Sequence, residues 1–89
     1  MVTFAFTQKA KKVFYKLPQT IQERVLEKLK ELKNNDDILS VVKRLSDFKY
    51  ATHRLRIGMY RLILQLKEHT SDYVEFWIVD IGHRKDIYK

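Results

Sequence analysis

Apolar side chains alternate at the amino terminus and then change period. Every second residue from Val2 to Phe6 is strongly apolar, which is typical of a strand with one buried face. Over residues 8–17 the apolar positions follow helical spacing and lysines fill the surface between them, so an amphipathic helix that Thr7 caps is predicted. Pro18 either ends this helix or opens the next, because proline lacks an amide donor but suits a first helical turn.

A second amphipathic helix is predicted from Thr20 to about Asn34. Thr20 followed by Glu23 has the pattern of a capping box, and the apolar residues after it form one stripe while charged residues face water. The Asn and Asp residues that follow favour a helix stop and then a short turn through residues 38–42. Residues 43–52 are predicted to be an irregular connection.

Three further strands are predicted in the second half of the chain, at residues 53–57, 60–67 and 73–81. Gly58 lies in the short turn between the first two, and the polar residues 68–72 form the turn between the last two. The last strand is apolar in both alternating sets of positions, which predicts a central strand that is buried on both sides. Its Phe76 and Trp77 are therefore interpreted as core residues rather than as stacking platforms for bases.

The polarity of the strand faces predicts the architecture. Leu62 and Leu64 lie on an apolar face that the two helices are expected to cover, which leaves Arg54 and Arg56 on the opposite face. The predicted fold class is α+β, with a small antiparallel or mixed sheet of about four strands and two N-terminal helices packed on one face. A chain of 89 residues is expected to form a single domain, covering residues 1–89.

The composition favours a polyanionic partner. Eighteen Lys and Arg residues against eleven Asp and Glu residues give a formal net charge of +7, which suits RNA, DNA or an acidic protein. The chain has no cysteine, so a disulfide framework and a thiolate metal site are excluded. No apolar run reaches the length of a membrane span and no signal-peptide pattern is present, so a cytoplasmic location and no membrane partner are expected.

The sequence carries none of the common metal or cofactor motifs. Its three histidines are dispersed, HExxH and CxxC spacings are missing, and two glycines cannot form a glycine-rich phosphate loop. Neither a metal site nor a cofactor is expected. Any chemistry must therefore come from Arg, Lys, His and Tyr side chains.

Two segments resemble a known toxin superfamily. The residues LRIGMYRLI (55–63) and VDIGHRKDIY (79–88) are similar to the C-terminal half of RelE/ParE superfamily toxins, and the amino-terminal half agrees in its pattern of elements. The resemblance to RelE-type members implies a ribosome-dependent endoribonuclease that cleaves messenger RNA in the ribosomal A site and inhibits translation. It also implies metal-independent attack by the RNA's own 2′-hydroxyl, which leaves a 2′,3′-cyclic phosphate and a 5′-hydroxyl.

The resemblance also implies roles for individual residues. Arg61 matches the arginine that contacts the scissile phosphate, and Arg84 matches one that stabilises or protonates the leaving oxygen. Tyr88 matches the terminal tyrosine, which stacks on a base or takes part in proton transfer. His83 is a fourth catalytic candidate because an imidazole titrates near neutral pH.

Four other basic residues are candidates for binding RNA phosphates: Arg54, Arg56, Lys49 and Lys85. The general base is left open. Some ribosome-dependent relatives have a lysine where this chain has Thr52, so Lys49, His53 or Tyr88 would have to replace it. An amine in this role would need a lowered pKa, because an ordinary lysine is protonated near neutral pH.

Two other functions remain open. The chain is alternatively a ParE-like toxin that inhibits gyrase without catalysis, or an inactivated toxin that acts only as a nucleic-acid-binding co-repressor. In each case the expected partner is a cognate acidic antitoxin similar to RelB, with operator DNA bound only through the toxin-antitoxin complex. The endoribonuclease is favoured because the other functions do not need Arg61, Arg84 and Tyr88 together.

Overall fold

The structure is a computed structural model, and it describes residues 1–35, 37–45 and 51–83. Its elements in chain order are β1 (Val2–Phe6), α1 (Gln8–Tyr15), α2 (Gln19–Leu32), α3 (Ile38–Val41), β2 (Lys43–Arg44), β3 (His53–Ile57), β4 (Tyr60–His69) and β5 (Val74–His83). Within these described ranges, no helix has both the length and the apolar character needed to cross a membrane.

The strands form one mixed sheet of five strands in the order β1-β5-β4-β3-β2. The pair β1 and β5 is parallel, and the other three neighbouring pairs are antiparallel. The prediction of an α+β fold with a mixed sheet is confirmed. The sheet has one strand more than predicted. This strand is β2, which lies in the segment predicted to be an irregular connection and whose two residues pair with β3. A pair of residues is too short to show a period in the sequence, so pairing with β3 alone defines this strand.

The two long helices begin for different reasons. Oγ1 of Thr7 accepts a hydrogen bond from the amide of Ala10 at 3.2 Å, so the predicted cap of α1 is confirmed. The predicted capping box of α2 is wrong: Pro18 is the N-cap residue, and it makes no side-chain capping bond. Thr20 already lies inside the first turn because proline opens the helix one residue before Gln19.

Both helices cover the same face of the sheet. Leu62 and Leu64 are fully buried there, as predicted, among the apolar stripes of α1 and α2. This helix-side core consists of Val2, Ala10, Phe14, Val25, Leu29, Leu32, Ile38, Val42, Leu55, Leu62, Leu64, Val74, Phe76, Ile78 and Ile81. The opposite side, which carries Arg54, Arg56, Arg61 and Trp77, is called the open face below. Alternation along each strand separates the two sets.

A β-bulge changes the phase of β5. Ile78 is opposite Leu64 and Ile81 is opposite Leu62, so these isoleucines face the same core although they are three residues apart. The prediction that β5 is buried on both sides is therefore wrong. One alternating apolar set, with Phe76 and Ile78, faces the helix-side core before the bulge. The other set, with Ile81, faces the same core after it. Phe76 is fully buried as expected, but the side chain of Trp77 is 37% exposed.

Candidate functional site

A tight turn brings two arginines together. Gly58 has a φ of 60°, in the left-handed region that glycine occupies without strain, and it reverses the chain between β3 and β4. The resulting register places Arg56 directly opposite Arg61. The guanidinium of Arg24, on α2, lies close to the other side of this turn. The turn thus places the arginines on either side of Gly58 next to each other on neighbouring strands.

Arg61 is buried, although it belongs to the open face. Only 7% of it is exposed, and its Nη1 donates to the carbonyl oxygens of Gly58 and Tyr60 at 3.2 and 3.1 Å. Its neighbour on the other side is Gly82, which has no side chain to compete for space. The guanidinium therefore holds the turn as well as carrying a charge.

One donor of Arg61 is left over. Its Nε is buried without a hydrogen-bond partner among the described residues. The ion pairs of that part of the chain join Lys9 to Asp80 and Lys28 to Glu31, so no described carboxylate neutralises Arg61. A buried donor without a partner costs free energy unless a ligand or water satisfies it. The charge of Arg61 is available to an anion that reaches this point.

Positive residues continue from Arg61 toward the edge of the sheet. Arg56 is exposed, and Arg54 is half-buried between Lys43 on β2 and Ile63 on β4. Like charges that face each other across strands destabilise a sheet. The sheet nevertheless has two such pairs on this face, Arg56 with Arg61 and Lys43 with Arg54. A bound anion would relieve the repulsion between Arg56 and Arg61.

His53 lies on the helix side of β3, away from the arginines. Its ring contacts Phe76 edge to face with the centroids 5.6 Å apart, and its Nδ1 is 2.8 Å from Oγ1 of Thr52. Burial, and secondarily the charge of Arg44, lower the pKa of His53 from its ordinary 6.5. The imidazole is consequently neutral at pH 7, but it lies behind the sheet rather than beside Arg61.

Thr52 has a structural role at the position where some relatives have a lysine. Its Oγ1 accepts a hydrogen bond from the amide of Leu66 at 2.8 Å, and its own amide donates to the carbonyl of Leu64 at 2.9 Å. These bonds join the start of β3 to β4 beside a register shift. The hydroxyl is therefore occupied by the amide of Leu66 and the imidazole of His53.

His83 is the last residue of β5. It is opposite Tyr60, and the two rings meet edge to face at 5.6 Å. By strand alternation this face is the one that carries Leu62, whereas Arg61 faces Gly82. The structure thus brings His83 to Tyr60 and not to the row of Arg61.

Four predicted site residues lie outside the described residues: Lys49, Arg84, Lys85 and Tyr88. The roles expected for them remain predictions. Among the residues that are described, no group of three or more His, Cys, Asp or Glu side chains is suitable for holding a metal ion.

Two features of the open face were not predicted. Lys43 pairs with Arg54 of β3 on this face, although its only signal in the sequence was a basic dipeptide in a predicted irregular connection. Trp77 is exposed because it alternates with Phe76 and Ile78, which are buried on the helix side, and the bulge that lets Ile81 join them has no reliable pattern in a single sequence. Together these residues widen the open face beyond the predicted arginines.

The sequence matches a known family over nearly its whole length. Residues 4–88 match the family described as ParE toxin of type II toxin-antitoxin system, parDE. Among curated proteins, no significant sequence match is found. The family match includes both segments on which the resemblance rested.

The fold is similar to those of solved toxins. The toxin-antitoxin complex RelBE2 from Mycobacterium tuberculosis has a chain that is 29% identical, with a TM-score of 0.73, and the match covers 92% of this chain and 96% of that chain. A chain of the RelB-RelE antitoxin-toxin complex from Methanococcus jannaschii is 22% identical, with a TM-score of 0.68 and coverage of 96% and 95%. The isolated E. coli RelE toxin is also 22% identical, with a TM-score of 0.64 and coverage of 96% and 88%. The last two similarities concern the fold alone.

Proposed function

The chain belongs to the ParE toxin family of type II toxin-antitoxin systems, within the RelE/ParE superfamily, and we propose that it is a ribosome-dependent messenger-RNA endoribonuclease. One observation carries this proposal. Arg56 and Arg61 are directly opposed on the open face, and no described carboxylate neutralises Arg61. An uncompensated pair of this kind suits a phosphodiester that becomes more negative in its transition state.

The proposed reaction needs no metal because the nucleophile belongs to the substrate. The 2′-hydroxyl of the RNA loses its proton to a base and attacks the adjacent phosphorus, and the bond from phosphorus to the 5′-oxygen breaks. A proton returns to that oxygen, which leaves a 2′,3′-cyclic phosphate and a 5′-hydroxyl. Arg61 and Arg56 stabilise the extra negative charge on the phosphorane. Arg84 is the candidate acid, and Lys49 and Tyr88 remain candidate bases, whereas the register places His83 on the face of Leu62 rather than beside Arg61.

Dependence on the ribosome is proposed because the described imidazole with a lowered pKa does not lie beside the arginines. The only described imidazole with a lowered pKa is that of His53, which lies on the other side of the sheet. A flexible RNA strand also rarely holds its 2′-hydroxyl in line with the leaving oxygen. The A site is proposed to supply that alignment, so that the protein contributes cations and proton transfer.

The test compares naked RNA with messenger on programmed ribosomes at equal concentration and maps the new termini. We expect cleavage on ribosomes with cyclic-phosphate ends, and slow or no cleavage of naked RNA. Arg84→Ala should lower the rate on ribosomes by about two orders of magnitude or more, as one lost electrostatic donor does. Tyr88→Phe tests the hydroxyl, and Lys12→Ala is the control for loss of one positive charge from the exposed surface of α1.

Three results would contradict the proposal. Equally fast cleavage of naked RNA removes the dependence on the ribosome. Ends other than a 2′,3′-cyclic phosphate and a 5′-hydroxyl exclude the proposed chemistry. A fully active Arg84→Ala variant removes that residue from the site.

Inhibition of gyrase is the second candidate function, and the ParE description of the matching family favours it. Translation and DNA replication are measured separately after induction of the protein. An immediate arrest of translation supports the endoribonuclease, whereas an arrest of replication with continued translation supports the gyrase inhibitor. If growth continues unchanged, the chain is an inactivated toxin that acts only in co-repression.

The proposed protein partner is an acidic, RelB-like antitoxin. Similar chains occur in toxin-antitoxin complexes, and a net charge of +7 on this chain attracts a negatively charged partner. Operator DNA is proposed to bind only through that complex. Co-expression with the acidic product of a neighbouring gene should restore growth, and added salt should slow association. A neighbouring product that is basic or fails to restore growth is not the antitoxin.

A further inference from the structure

Trp77 is a large aromatic side chain that the fold leaves in contact with solvent. It is 37% exposed, whereas Phe76 and Ile78, its neighbours on β5, are fully buried on the helix side. A folded chain gains free energy by burying an indole, and this strand has a buried face available. Its position on the open face leaves part of the ring accessible to a ligand.

The indole ring is held in place although it is exposed. Its Nε1 donates to Oε2 of Glu75 at 3.3 Å, and Nζ of Lys67 lies 5.6 Å from the ring centroid. In its cross-strand row the neighbours are Ala5 on β1 and Gln65 on β4. The small alanine leaves space beside the ring. A ring with a fixed orientation loses little conformational entropy when a flat ligand binds to it.

Trp77 shares its face with the arginines. Along β4 the open-face positions are Arg61, Ile63 and Gln65, and Gln65 is directly opposite Trp77. Gln65 lies four residues after Arg61 on β4, which is about 13 Å at the usual rise of a strand, so Trp77 is about that far from Arg61 along the strand direction. A single RNA strand of a few nucleotides can span that distance with a phosphate at one end and a base at the other.

We propose that Trp77 is a stacking platform for a base of single-stranded RNA whose phosphates bind Arg54 and Arg56. The inference rests on the proposed RNA substrate and adds a base-binding position to it. Proteins that bind single strands combine a basic surface with exposed aromatic rings, as this face does. Lys67 beside the ring and Arg56 on the same face favour RNA over an apolar protein segment, because they attract phosphates and would form no ion pair with such a segment.

The first experiment uses the fact that Trp77 is the only tryptophan in the chain. The parent protein is titrated with a short 2′-O-methyl purine oligonucleotide, which lacks the nucleophile and is not cleaved. Stacking should quench the tryptophan emission in proportion to binding. Trp77→Ala, followed with a labelled oligonucleotide, should bind about 5- to 150-fold more weakly, which corresponds to the ~1–3 kcal/mol that stacking contributes per base.

Two variants control for loss of structure. Trp77→Phe keeps an aromatic ring and should bind between the parent and Trp77→Ala. Gln65→Ala removes the neighbouring side chain of the same row and should bind like the parent. The inference is overturned if the parent does not bind the oligonucleotide, or if Trp77→Ala binds as tightly as the parent while Arg56→Ala binds more weakly.

The second experiment separates this inference from the proposed function. On programmed ribosomes, Trp77→Ala should raise KM more than it lowers kcat and should leave the cleavage ends unchanged. If the parent is active and Trp77→Ala has unchanged kinetics, the base contact is contradicted and the endoribonuclease proposal is not. Quenching by RNA without any cleavage by the parent supports the base contact and contradicts the endoribonuclease. If Trp77→Ala binds RNA normally but escapes neutralisation by the antitoxin, Trp77 belongs to a protein interface and the RNA assignment is wrong.

Discussion

The two faces of β4 have opposite physical characters although their residues alternate along one strand. On the helix side, Leu62 and Leu64 are fully buried among apolar side chains of both long helices. On the open face, Arg61 is buried beside another arginine and one of its donors lacks a partner among the described residues. The helix side is explained by burial of apolar area alone.

The open face is not explained in the same way. Its cross-strand register places Arg56 against Arg61, which opposes folding. It also leaves Trp77 in contact with solvent. Features that cost stability and share one surface indicate a ligand that compensates for them. The difference between the faces thus separates the part of the chain that stabilises the fold from the part that we expect to bind RNA.

The largest expected effect is on the helix side. Leu64→Ala should lower the free energy of unfolding by ~2–5 kcal/mol, because it leaves a cavity in a fully buried site. Gln65→Ala, the next residue on the open face, is the matched control and should change stability by about 0.5 kcal/mol or less. Urea unfolding of both variants measures the difference. Equal losses would remove the distinction between the two faces.

Arg61 and Arg56 should differ although they face each other. Arg61→Ala removes the donor to the carbonyls of Gly58 and Tyr60, so a loss of ~1–2 kcal/mol in the free energy of unfolding is expected. Arg56→Ala should be neutral within about 0.5 kcal/mol, because it removes an exposed side chain and a like-charge contact. Both should weaken RNA binding. If Arg61→Ala is as stable as the parent, the hydrogen bonds to the turn contribute nothing.

The turn itself should tolerate only certain residues. Gly58→Ala puts a Cβ on a residue with a φ of 60°, which should cost ~1–2 kcal/mol. Space is not the limit, because that Cβ would lie 3.9 Å from Nη1 of Arg24, an ordinary contact distance. Gly58→Asn should lose less, since asparagine tolerates the left-handed region. Equal unfolding midpoints for Gly58→Ala and the parent would contradict the strain.

The smallest expected effect is a pH dependence of stability from His53. Its pKa is lowered from 6.5 by burial and then by Arg44, so below pH 6.5 the unfolded chain binds more protons than the native one. The stability that neutral His53 contributes is fully present above pH 6.5. It is lost as the pH falls through the pKa of His53 in the native state, and below that pKa protonation of His53 changes the stability no further. His53→Gln should flatten this slope in urea titrations, with His69→Gln as the control for removal of an exposed imidazole. An unchanged slope in His53→Gln would contradict the burial.

The sequence predicted the helix side better than the open face. The spacing of Leu62 and Leu64 identifies core positions because burial depends on side-chain type and period. The resemblance indicated Arg54, Arg56 and Arg61 as one basic group, and strand alternation explains why they share a face. The burial of Arg61 was not predictable, since it depends on the turn carbonyls it contacts and on Gly82 across the sheet.

The fold class, the positions of the two long helices, the turn at Gly58 and the net charge of +7 follow from the sequence alone. These properties are local: they follow from periodicity, from the conformational freedom of glycine and from charge. Three other outcomes are visible only in the tertiary structure: β2 joins the sheet, a bulge in β5 turns Ile81 rather than Trp77 toward the core, and His53 and Arg61 lie on opposite faces. Those outcomes depend on which strands pair and in which register, and pairing is a relation between distant segments.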